Sequence, residues 1–282
     1  MEENRTEILV TGGAGFIGSH LIEQLLENNY KVTIVDNFDV FYSKEIKLKN
    51  TARAGVRSSI KDPIAYQDVN VKGSQKMLEF ARHKNIKQFI FASSSSVCGF
   101  NKNFPWKESD VALNPISPYG STKISGELLG HVYSHLFGIR FIALRFFTVF
   151  GPRQRPDLAI HQFSKKILNG EAINYFGNGS TRRDYTYVAD TVQGIFNAIQ
   201  YIRTPFGGFN LRNHYIISLS EMIQTLETVF NKKAIIKHLP EQMGDVAITY
   251  ADISKAEQLL NYVPKTNFKQ GITKFKNWLE TQ

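Results

Sequence analysis

The fold of this chain is decided by residues 8–18, Ile8-Leu-Val-Thr-Gly-Gly-Ala-Gly-Phe-Ile-Gly18, where a β-branched apolar run ends in glycines and a helical pattern follows at once. Gly12, Gly15 and Gly18 have the spacing G-x-x-G-x-x-G. Glycine at these points allows a tight turn, a close approach of the backbone to a pyrophosphate, and close packing of helix on strand. The N–H groups at the helix start then face the phosphates. The context favours a dinucleotide site over an ordinary strand-to-helix turn.

Three predicted elements surround this turn: a strand over Glu7–Thr11, a helix over Phe16–Glu27 and a second strand over Lys31–Val35. Asp36 closes the second strand. A carboxylate there can accept hydrogen bonds from both ribose hydroxyls and would repel a 2′-phosphate, which favours NAD over NADP. The alternative is an exposed aspartate at the end of a strand.

Composition places the chain among ordinary globular α/β proteins. It has 282 residues, 42% hydrophobic and 21% charged, enough for one large unit or two modest domains. No apolar run approaches membrane-spanning length, the N-terminus does not resemble a secretory signal, and the single Cys98 fits a reducing, cytoplasmic setting. The formal net charge is +9, but the lysines are scattered. A basic surface that attracts small anions is therefore favoured over nucleic-acid binding.

The stretch after Asp36 is too short for a complete doubly wound fold. Between Asn37 and Lys87 the sequence offers a polar stretch, Tyr42–Arg57, and one helix, Ile64–His83. No β-rich apolar run lies between them. We therefore predict that a strand–helix–strand unit of about 30 residues is absent, with the join near Asn50-Thr51-Ala52.

A second group of polar residues follows the next predicted strand, Ile86–Ala92. Serines occupy positions 93–96, at the edge where open α/β sheets hold their ligands. Tyr119 and Lys123 lie four residues apart on a predicted helix that runs to about Phe137, so they share one face. An ammonium near a phenol favours the phenolate and lowers the tyrosine pKa. An exposed helix pair is the alternative.

The remaining pattern predicts further short elements and one basic pair. Arg182 and Arg183 follow a tight turn and can neutralise a diphosphate, or form a surface salt bridge. Ser220 is the candidate N-cap of a helix. The predicted elements are a strand over Arg140–Phe146, helices over His161–Asn169, Val188–Ile202, Ser218–Phe230 and Ile272–Leu279, and short strands over Phe209–Leu211 and Ile235–Leu239.

With these pieces placed, the chain resembles the nucleoside-diphosphate-sugar epimerases of the extended short-chain dehydrogenase/reductase superfamily. Within that group it is most similar to the UDP-glucuronate 4-epimerases, through Ala54-Gly-Val-Arg57, Tyr133-Ser-His-Leu-Phe-Gly138 and Arg155-Pro-Asp-Leu158. The motifs that carry the wider resemblance are Val10–Gly18, Asp36–Phe38, Ser93–Gly99, Tyr119–Lys123, Leu144–Pro152 and Arg183–Val188.

The resemblance implies an α/β fold: a Rossmann-like doubly wound parallel sheet, here shortened, with a smaller C-terminal α/β substrate lobe. Residues 1–151 would bind NAD. Residues 152–282 would mainly bind the nucleotide sugar, with about 184–200 returning to the first domain. The absent unit corresponds to the third and fourth strands of the family, and the fourth lies beside the first. The strand before the glycine turn would thus lose one neighbour and expose an unpaired edge. The alternative is a replacement strand from Tyr42–Arg57, where Ile46 and Leu48 alternate with lysines.

The resemblance also implies a site and a reaction. Tyr119 as phenolate removes the 4-hydroxyl proton, Lys123 holds the nicotinamide ribose, and Ser94 bridges Tyr119 and the 4-oxygen, with transient oxidation at C4 and return of the hydride from NAD. Ser95 and Ser96 replace the acids of related dehydratases and decarboxylases, which favours epimerisation. Further cofactor contacts are expected at Phe16, Ile17, Asn37, Ala52 and Phe146. Substrate contacts are expected at Arg57, Ser95, Ser96, Thr148, Arg183, Gln242 and Asp245.

Three hypotheses about the function remain open at this point. The first is an NAD-dependent 4-epimerase of UDP-glucuronate, and the second is a UDP-glucose 4-epimerase. The third is a defective nucleotide-binding relative that keeps the motifs without the pocket. NAD is the expected cofactor, without a metal, and no nucleic-acid or membrane partner is expected. The family usually dimerises through two helices, here Ile64–His83 and Tyr119–Phe137, so a homodimer is expected.

Overall fold

The computed structural model describes residues 5–36, 53–110, 113–240 and 248–282. In these ranges the chain forms an α/β fold. The strands are β1 (Glu7–Thr11), β2 (Lys31–Val35), β3 (Gln88–Ser94), β4 (Arg140–Phe146), β5 (Thr148–Phe150), β6 (Ala172–Phe176), β7 (Arg182–Tyr187), β8 (Phe206–Leu211), β9 (Ile216–Ser218) and β10 (Ile235–Leu239).

The helices alternate with the strands through most of the chain. A π-helical segment, Gln67–Lys72, joins the third helix to the fourth, and a 3₁₀ turn, Ser95–Val97, follows β3. The helices are α1 (Phe16–Glu27), α2 (Val56–Lys61), α3 (Pro63–Tyr66), α4 (Gly73–His83), α5 (Pro118–Phe137), α6 (Ala159–Asn169), α7 (Val188–Gln200), α8 (Leu219–Phe230), α9 (Ser254–Leu260) and α10 (Phe268–Leu279).

The strands form four small sheets. The first pairs β1 with β2, and a second has the order β3-β4-β8, with all neighbours parallel. A third has the order β5-β7-β9, in which β7 and β9 are antiparallel, and the fourth pairs β6 with β10. The parallel sheets with alternating helices are the arrangement predicted from the sequence.

Among the described strands, the sheet is interrupted where the sequence lacks the strand–helix–strand unit. Among the described strands, β1 pairs with β2 alone, and β3 pairs with β4 alone. No strand of the described ranges joins β1 to β3, so each has one edge without a strand partner there. The predicted loss of one neighbour of the glycine-bearing strand stays a prediction, because most of the stretch Tyr42–Arg57 lies outside the described residues.

The β1–α1–β2 unit is attached to the remaining fold through α1. This helix packs along α7, and Leu25 belongs to the main hydrophobic core. At its end, the ring of Tyr30 meets Phe196 edge-on at 5.9 Å. Arg153 forms a salt bridge of 2.6 Å with Glu23, which ties the loop after β5 to the same helix. Side-chain packing thus replaces strand pairing as the connection.

Helix α5 lies unusually close to the second sheet because two of its residues are glycines. A Cβ atom at Gly126 would overlap the ring of Phe91 on β3, and one at Gly130 would overlap Phe141 on β4. The buried face of α5 is thereby pressed onto these strands. Helix α4 packs on the other side, where Tyr133 donates a hydrogen bond to Glu79.

Most predicted elements are observed, with corrections at particular residues. The predicted helix Ile64–His83 consists of α3, the π-helical segment and α4, and α2 forms where a polar stretch was expected. Ser218, not Ser220, caps α8: its hydroxyl accepts from the N–H of Glu221, whose side chain bonds back in a capping box. Elements β5, β7, β9 and α9 were not predicted. The domain boundary at residue 151 stays a prediction.

None of the helices in the described ranges has the length and apolar character that a bilayer span requires.

Neighbouring leucines on α1 test whether this helix attaches the first unit. Leu25 is fully buried, whereas Leu26 is 55% exposed. We expect Leu25→Ala to lower the free energy of unfolding by about 2–5 kcal/mol, because a cavity forms in the core. The matched Leu26→Ala variant should change it by about 0.5 kcal/mol or less. Urea unfolding measures both, and equal effects would contradict the attachment through the buried face.

Candidate active site

The glycine turn between β1 and α1 forms an open cradle of backbone N–H groups. Gly15 is the N-cap of α1 and no side chain caps this helix end. A Cβ atom at Gly18 would overlap the carbonyl oxygen of Gly12, and Gly12 itself has φ of 68°. Both positions therefore require glycine. Phe16 and Ile17 form the first turn of α1 and face the core.

The predicted ribose acid lies beside this cradle. Asp36 accepts a hydrogen bond of 3.1 Å from the N–H of Ala14, 22 residues earlier. Its carboxylate is therefore fixed at the rim of the glycine turn, at the end of β2, where a ribose would follow a pyrophosphate held by α1. The structure brings together the glycines and the acid that the sequence predicted as one site.

A second group of residues converges where β3 meets α5. Lys123 is buried, and its Nζ donates a 2.8 Å hydrogen bond to the carbonyl oxygen of Ala92 on β3. The same Nζ lies 5.7 Å from the centre of the Tyr119 ring. The hydroxyl of Ser94 neighbours the Tyr119 phenol and acts to lower the pKa of that phenol. The three residues predicted as catalytic therefore form one contiguous group.

The pKa values in this group depart from the sequence expectation. Burial raises the pKa of Tyr119 above its ordinary value, while the Ser94 hydroxyl and the guanidinium of Arg155 oppose that rise. Burial lowers the pKa of Lys123 to about 8, and the carboxylate of Glu127 opposes that fall. The predicted lowering of the tyrosine pKa is thus wrong for this arrangement, because desolvation of the phenolate outweighs the nearby cations.

Residues that the sequence analysis did not assign to the site surround Tyr119. Its backbone N–H donates to the Ser59 hydroxyl at 3.1 Å, and its ring meets Tyr66 edge-on at 6.2 Å. Arg155 is held by two hydrogen bonds to Asp157, of 2.9 and 2.7 Å, and by one to the carbonyl of Ala54. These contacts join segments far apart in sequence, so no local pattern indicates them.

The segment that follows the predicted join is held by a buried amide. Asn70, in the π-helical segment, accepts from the N–H of Arg53 and donates to its carbonyl, both at 2.9 Å. The same amide donates to the Thr122 hydroxyl of α5 at 3.0 Å. One side chain therefore fixes the chain at residue 53 next to the helix that carries Tyr119.

The serine turn after β3 contributes to the same corner. Ser94 accepts from the N–H of Ser96 at 3.2 Å and caps the 3₁₀ turn that contains Ser95. Phe146 lies opposite Ser94 in the strand register. Cys98 is buried beyond the turn, and burial raises its thiol pKa to about 12. That thiol is therefore not a nucleophile at neutral pH.

The predicted substrate residues lie on two other elements. Thr148 starts β5 and pairs with Tyr185 on β7, and Arg183 lies two residues earlier, on the same face of β7 as Tyr185. Arg57 is exposed in the first turn of α2, the helix whose Ser59 contacts Tyr119. Four predicted site residues lie outside the described residues: Asn37, Ala52, Gln242 and Asp245.

Behind Arg183, a buried ion pair fixes strand β7. Asp184 accepts a 3.1 Å hydrogen bond from Arg212 and a 2.7 Å bond from the Thr186 hydroxyl. Burial nevertheless raises the pKa of Asp184 to about 6. The pair holds β7 against the segment after β8, and so determines where Arg183 is placed.

Comparison with known proteins connects this geometry to a family. The sequence pattern of the NAD dependent epimerase/dehydratase family matches residues 8–50 and 47–211. A protein of Methanocaldococcus jannaschii of uncharacterized function is 42% identical, over 96% of this chain and 95% of its own length.

Two solved structures are similar over nearly their whole length. One is a mutant UDP-glucuronic acid 4-epimerase from Bacillus cereus in complex with UDP-4-deoxy-4-fluoro-glucuronic acid and NAD. It is 33% identical with a TM-score of 0.91, over 98% of this chain and 99% of that one. The other is a UDP-glucose 4-epimerase from Thermotoga maritima with UDP-glucose. It is 30% identical with a TM-score of 0.89, over 98% and 99% of the two chains.

The same comparisons locate the missing unit. The alignment with the Methanocaldococcus protein runs over 311 positions but covers 96% of the 282 residues of this chain, about 271 residues, so about 40 positions have no counterpart here. The family match breaks into two segments that meet at residues 47–50. The predicted absence of about 30 residues near Asn50 is therefore confirmed.

The glycine cradle can be tested with a matched pair of glycines. We expect Gly18→Ala to destabilise the protein by about 1–3 kcal/mol, because the new methyl group overlaps the Gly12 carbonyl. It should also weaken dinucleotide binding. Nothing lies within 4 Å of a Cβ atom at Gly208, so Gly208→Ala should be tolerated. Thermal unfolding and NAD titration measure the two variants, and an unaffected Gly18→Ala protein would contradict the close approach of α1 to the turn.

Proposed function

We propose that this chain, which belongs to the NAD dependent epimerase/dehydratase family, interconverts UDP-glucuronate and UDP-galacturonate by 4-epimerisation. At the coarser level it is an NAD-dependent UDP-sugar 4-epimerase. The observation that carries the proposal is the contiguous group of Ser94, Tyr119 and Lys123. The similarity to the Bacillus cereus UDP-glucuronic acid 4-epimerase, at a TM-score of 0.91, supports the choice of sugar.

The residues at the first sheet fit NAD. The uncapped N-terminus of α1 offers N–H groups to a pyrophosphate, and a side chain at Gly18 would overlap the backbone of the turn. Asp36 holds an acceptor carboxylate at the rim of the same turn. A 2′-phosphate at that position would meet a negative charge. The donor set therefore suits NAD and disfavours NADP.

The catalytic roles follow from the geometry around Tyr119. Tyr119 accepts the proton of the sugar 4-hydroxyl, and Ser94, next to the phenol, stabilises its charged form. Lys123 donates to the Ala92 carbonyl, which fixes its ammonium beneath the ring and within reach of a ribose. Bound NAD supplies the acceptor and the donor of the hydride at C4. The protein thus needs one base, which is used in both directions.

The polar residues around this group support a uronate over a neutral sugar. Ser95, Ser96 and Thr148 would surround the sugar carboxylate with hydroxyl donors, and serine at positions 95 and 96 cannot act as the acid or base of a dehydratase. Arg183 would neutralise the diphosphate, with Gln242 and Asp245 near the nucleotide. Arg57 would contact the carboxylate or the diphosphate. UDP-glucose is the second candidate substrate, because the Thermotoga maritima enzyme is similar at a TM-score of 0.89.

One observation favours a different candidate, a nucleotide-binding relative without turnover. Strand β1 has a partner on one side only among the described strands, where the family places a further strand. That strand would form part of the wall on the adenine side of the dinucleotide. A measurement of bound nucleotide therefore separates the two candidates, because a retained NAD requires a working site.

The substrate prediction is tested by turnover without added cofactor. Purified protein incubated with UDP-glucuronate should produce UDP-galacturonate, detected by chromatography, with NAD released on denaturation. We expect Tyr119→Phe to lower kcat by at least about 100-fold, because the base is lost. The matched Tyr215→Phe variant should retain activity, since Tyr215 is exposed in the second lobe. A lack of product with and without added NAD would reject the epimerase. UDP-glucose turned over at a higher kcat/KM would reassign the sugar.

We further propose that the chain forms a homodimer through α4 and α5. On α5, Leu128, Val132 and Leu136 recur every four residues and are 64%, 45% and 61% exposed. Phe80 on α4 and Phe137 add to the same exposed apolar surface. Such a stripe on adjacent helices is typical of a face that a partner covers.

The dimer prediction is tested with a charge in the stripe. We expect Leu136→Glu to shift the protein from dimer to monomer in sedimentation velocity, because a buried unpaired carboxylate is costly. Ile202→Glu is the matched control, since Ile202 is equally exposed but lies after α7. A monomeric wild-type protein at high concentration would contradict the dimer.

A further inference from the structure

A buried carboxylate lies directly behind the group that holds Tyr119. Tyr119, Lys123 and Glu127 are spaced by four residues along α5, so they share one face of the helix. Glu127 is buried, and none of the roles proposed above uses it. An isolated carboxylate is rarely buried, because its desolvation must be offset by partners.

The partners of Glu127 come from both strands beneath α5. One carboxylate oxygen accepts from the Ser93 hydroxyl at 2.5 Å and from Nε of Arg145 at 3.0 Å, and the other accepts from Nη2 of Arg145 at 2.8 Å. Ser93 and Arg145 are direct partners in the β3–β4 register. The carboxylate therefore joins α5 to β3 one residue before Ser94, and to β4 beside it.

The same carboxylate faces the ammonium of Lys123. Lys123 is buried and has the Ala92 carbonyl as its hydrogen-bond acceptor, which carries only a partial charge. Burial disfavours the ammonium, and Glu127 is the charge that opposes this effect. The other groups facing the cluster are Arg145 from β4, the Cys98 thiol from the serine turn, and Glu108 and Lys255 beyond Arg145.

We propose that Glu127 is a positioning residue of the epimerisation, which keeps Lys123 in its ammonium form and fixes the Ser94 end of β3 next to Tyr119. The inference rests on the proposed function for its catalytic meaning. A buried ion pair with only a structural role would change stability alone. A positioning role also changes the titration of Lys123, because the ammonium loses the negative charge that opposes its desolvation.

Two variants separate these roles. Glu127→Gln keeps the shape and the acceptor for Ser93 but leaves Arg145 unpaired, which can impair folding. The double variant Glu127→Leu, Arg145→Met removes both charges and keeps apolar volume, a change that buried ion pairs often tolerate. Lys123 is titrated in the full chain by NMR of ¹³Cε-labelled lysine, with its signal identified through Lys123→Met.

We expect the Lys123 pKa to fall by about one unit in Glu127→Gln, and by less in the double variant, because loss of the Arg145 cation partly offsets loss of the carboxylate. With a pKa moving from about 8 to about 7, the ammonium fraction of Lys123 falls about fivefold at pH 8 and by less than about 1.2-fold at pH 6. We expect kcat at a given pH to fall with this fraction, since the reaction needs the ammonium. KM should change less than kcat.

A second buried pair supplies the control. Asp184→Asn breaks the ion pair between β7 and Arg212, which does not involve α5, so it should lower the midpoint of thermal unfolding without moving the Lys123 pKa. An unchanged Lys123 pKa in the folded Glu127 variants would overturn the proposal. A shifted Lys123 pKa in a chain that does not turn over any UDP-sugar would reject the proposed function, and leave the control of Lys123 by Glu127 established.

Discussion

The structure depends on the close approach of α5 to the second sheet. Gly126 and Gly130 remove the side chains that would otherwise meet Phe91 and Phe141, so the backbone of the helix lies against β3 and β4. Only at that distance can the Lys123 ammonium reach the Ala92 carbonyl. The same approach brings the phenol of Tyr119 to the end of β3. Packing of two small residues against two aromatic rings therefore determines the geometry of the chemistry.

Among the described strands, those on either side of the missing unit belong to two separate sheets. Where the family has a strand beside β1, the described part of this protein has packing of α1 on α7 and a salt bridge from Arg153 to Glu23. Hydrophobic contact has no direction or register, so it can connect two sheet fragments that backbone pairing no longer joins. Near the new junction, the side-chain amide of Asn70 bonds both the N–H and the carbonyl of Arg53, as the backbone of a neighbouring strand would.

Sequence patterns predicted those parts of the site that depend on residues close together in the chain. The glycine spacing and apolar periodicity gave β1, α1 and β2 with their observed bounds, and the Y-x-x-x-K spacing gave one face of α5. Ser218 and Glu221 form the S-x-x-E signature of a capping box, so the sequence contained the information for this N-cap. The prediction of the nearby Ser220 as N-cap missed it. Helix α2 was not predicted. The role of its Ser59 depends on a contact with Tyr119, which lies 60 residues later in the chain. Ser93 and Arg145 lie together only through the register of β3 and β4, and Glu127 joins them from α5, which sequence spacing does not specify.

The interrupted sheet has a consequence for how the chain can vary. Residues of β1 pair only with β2, and residues of β3 only with β4, among the described strands, so each register is set without reference to the other. A unit can therefore be removed between them, or inserted again between residues 36 and 53, without shifting any remaining strand by one residue. In a continuous sheet a length change of this kind risks a slip that turns every side chain to the opposite face. The boundary between the two sheets is therefore a position at which a strand–helix–strand unit can be removed or inserted while the register of each sheet is kept.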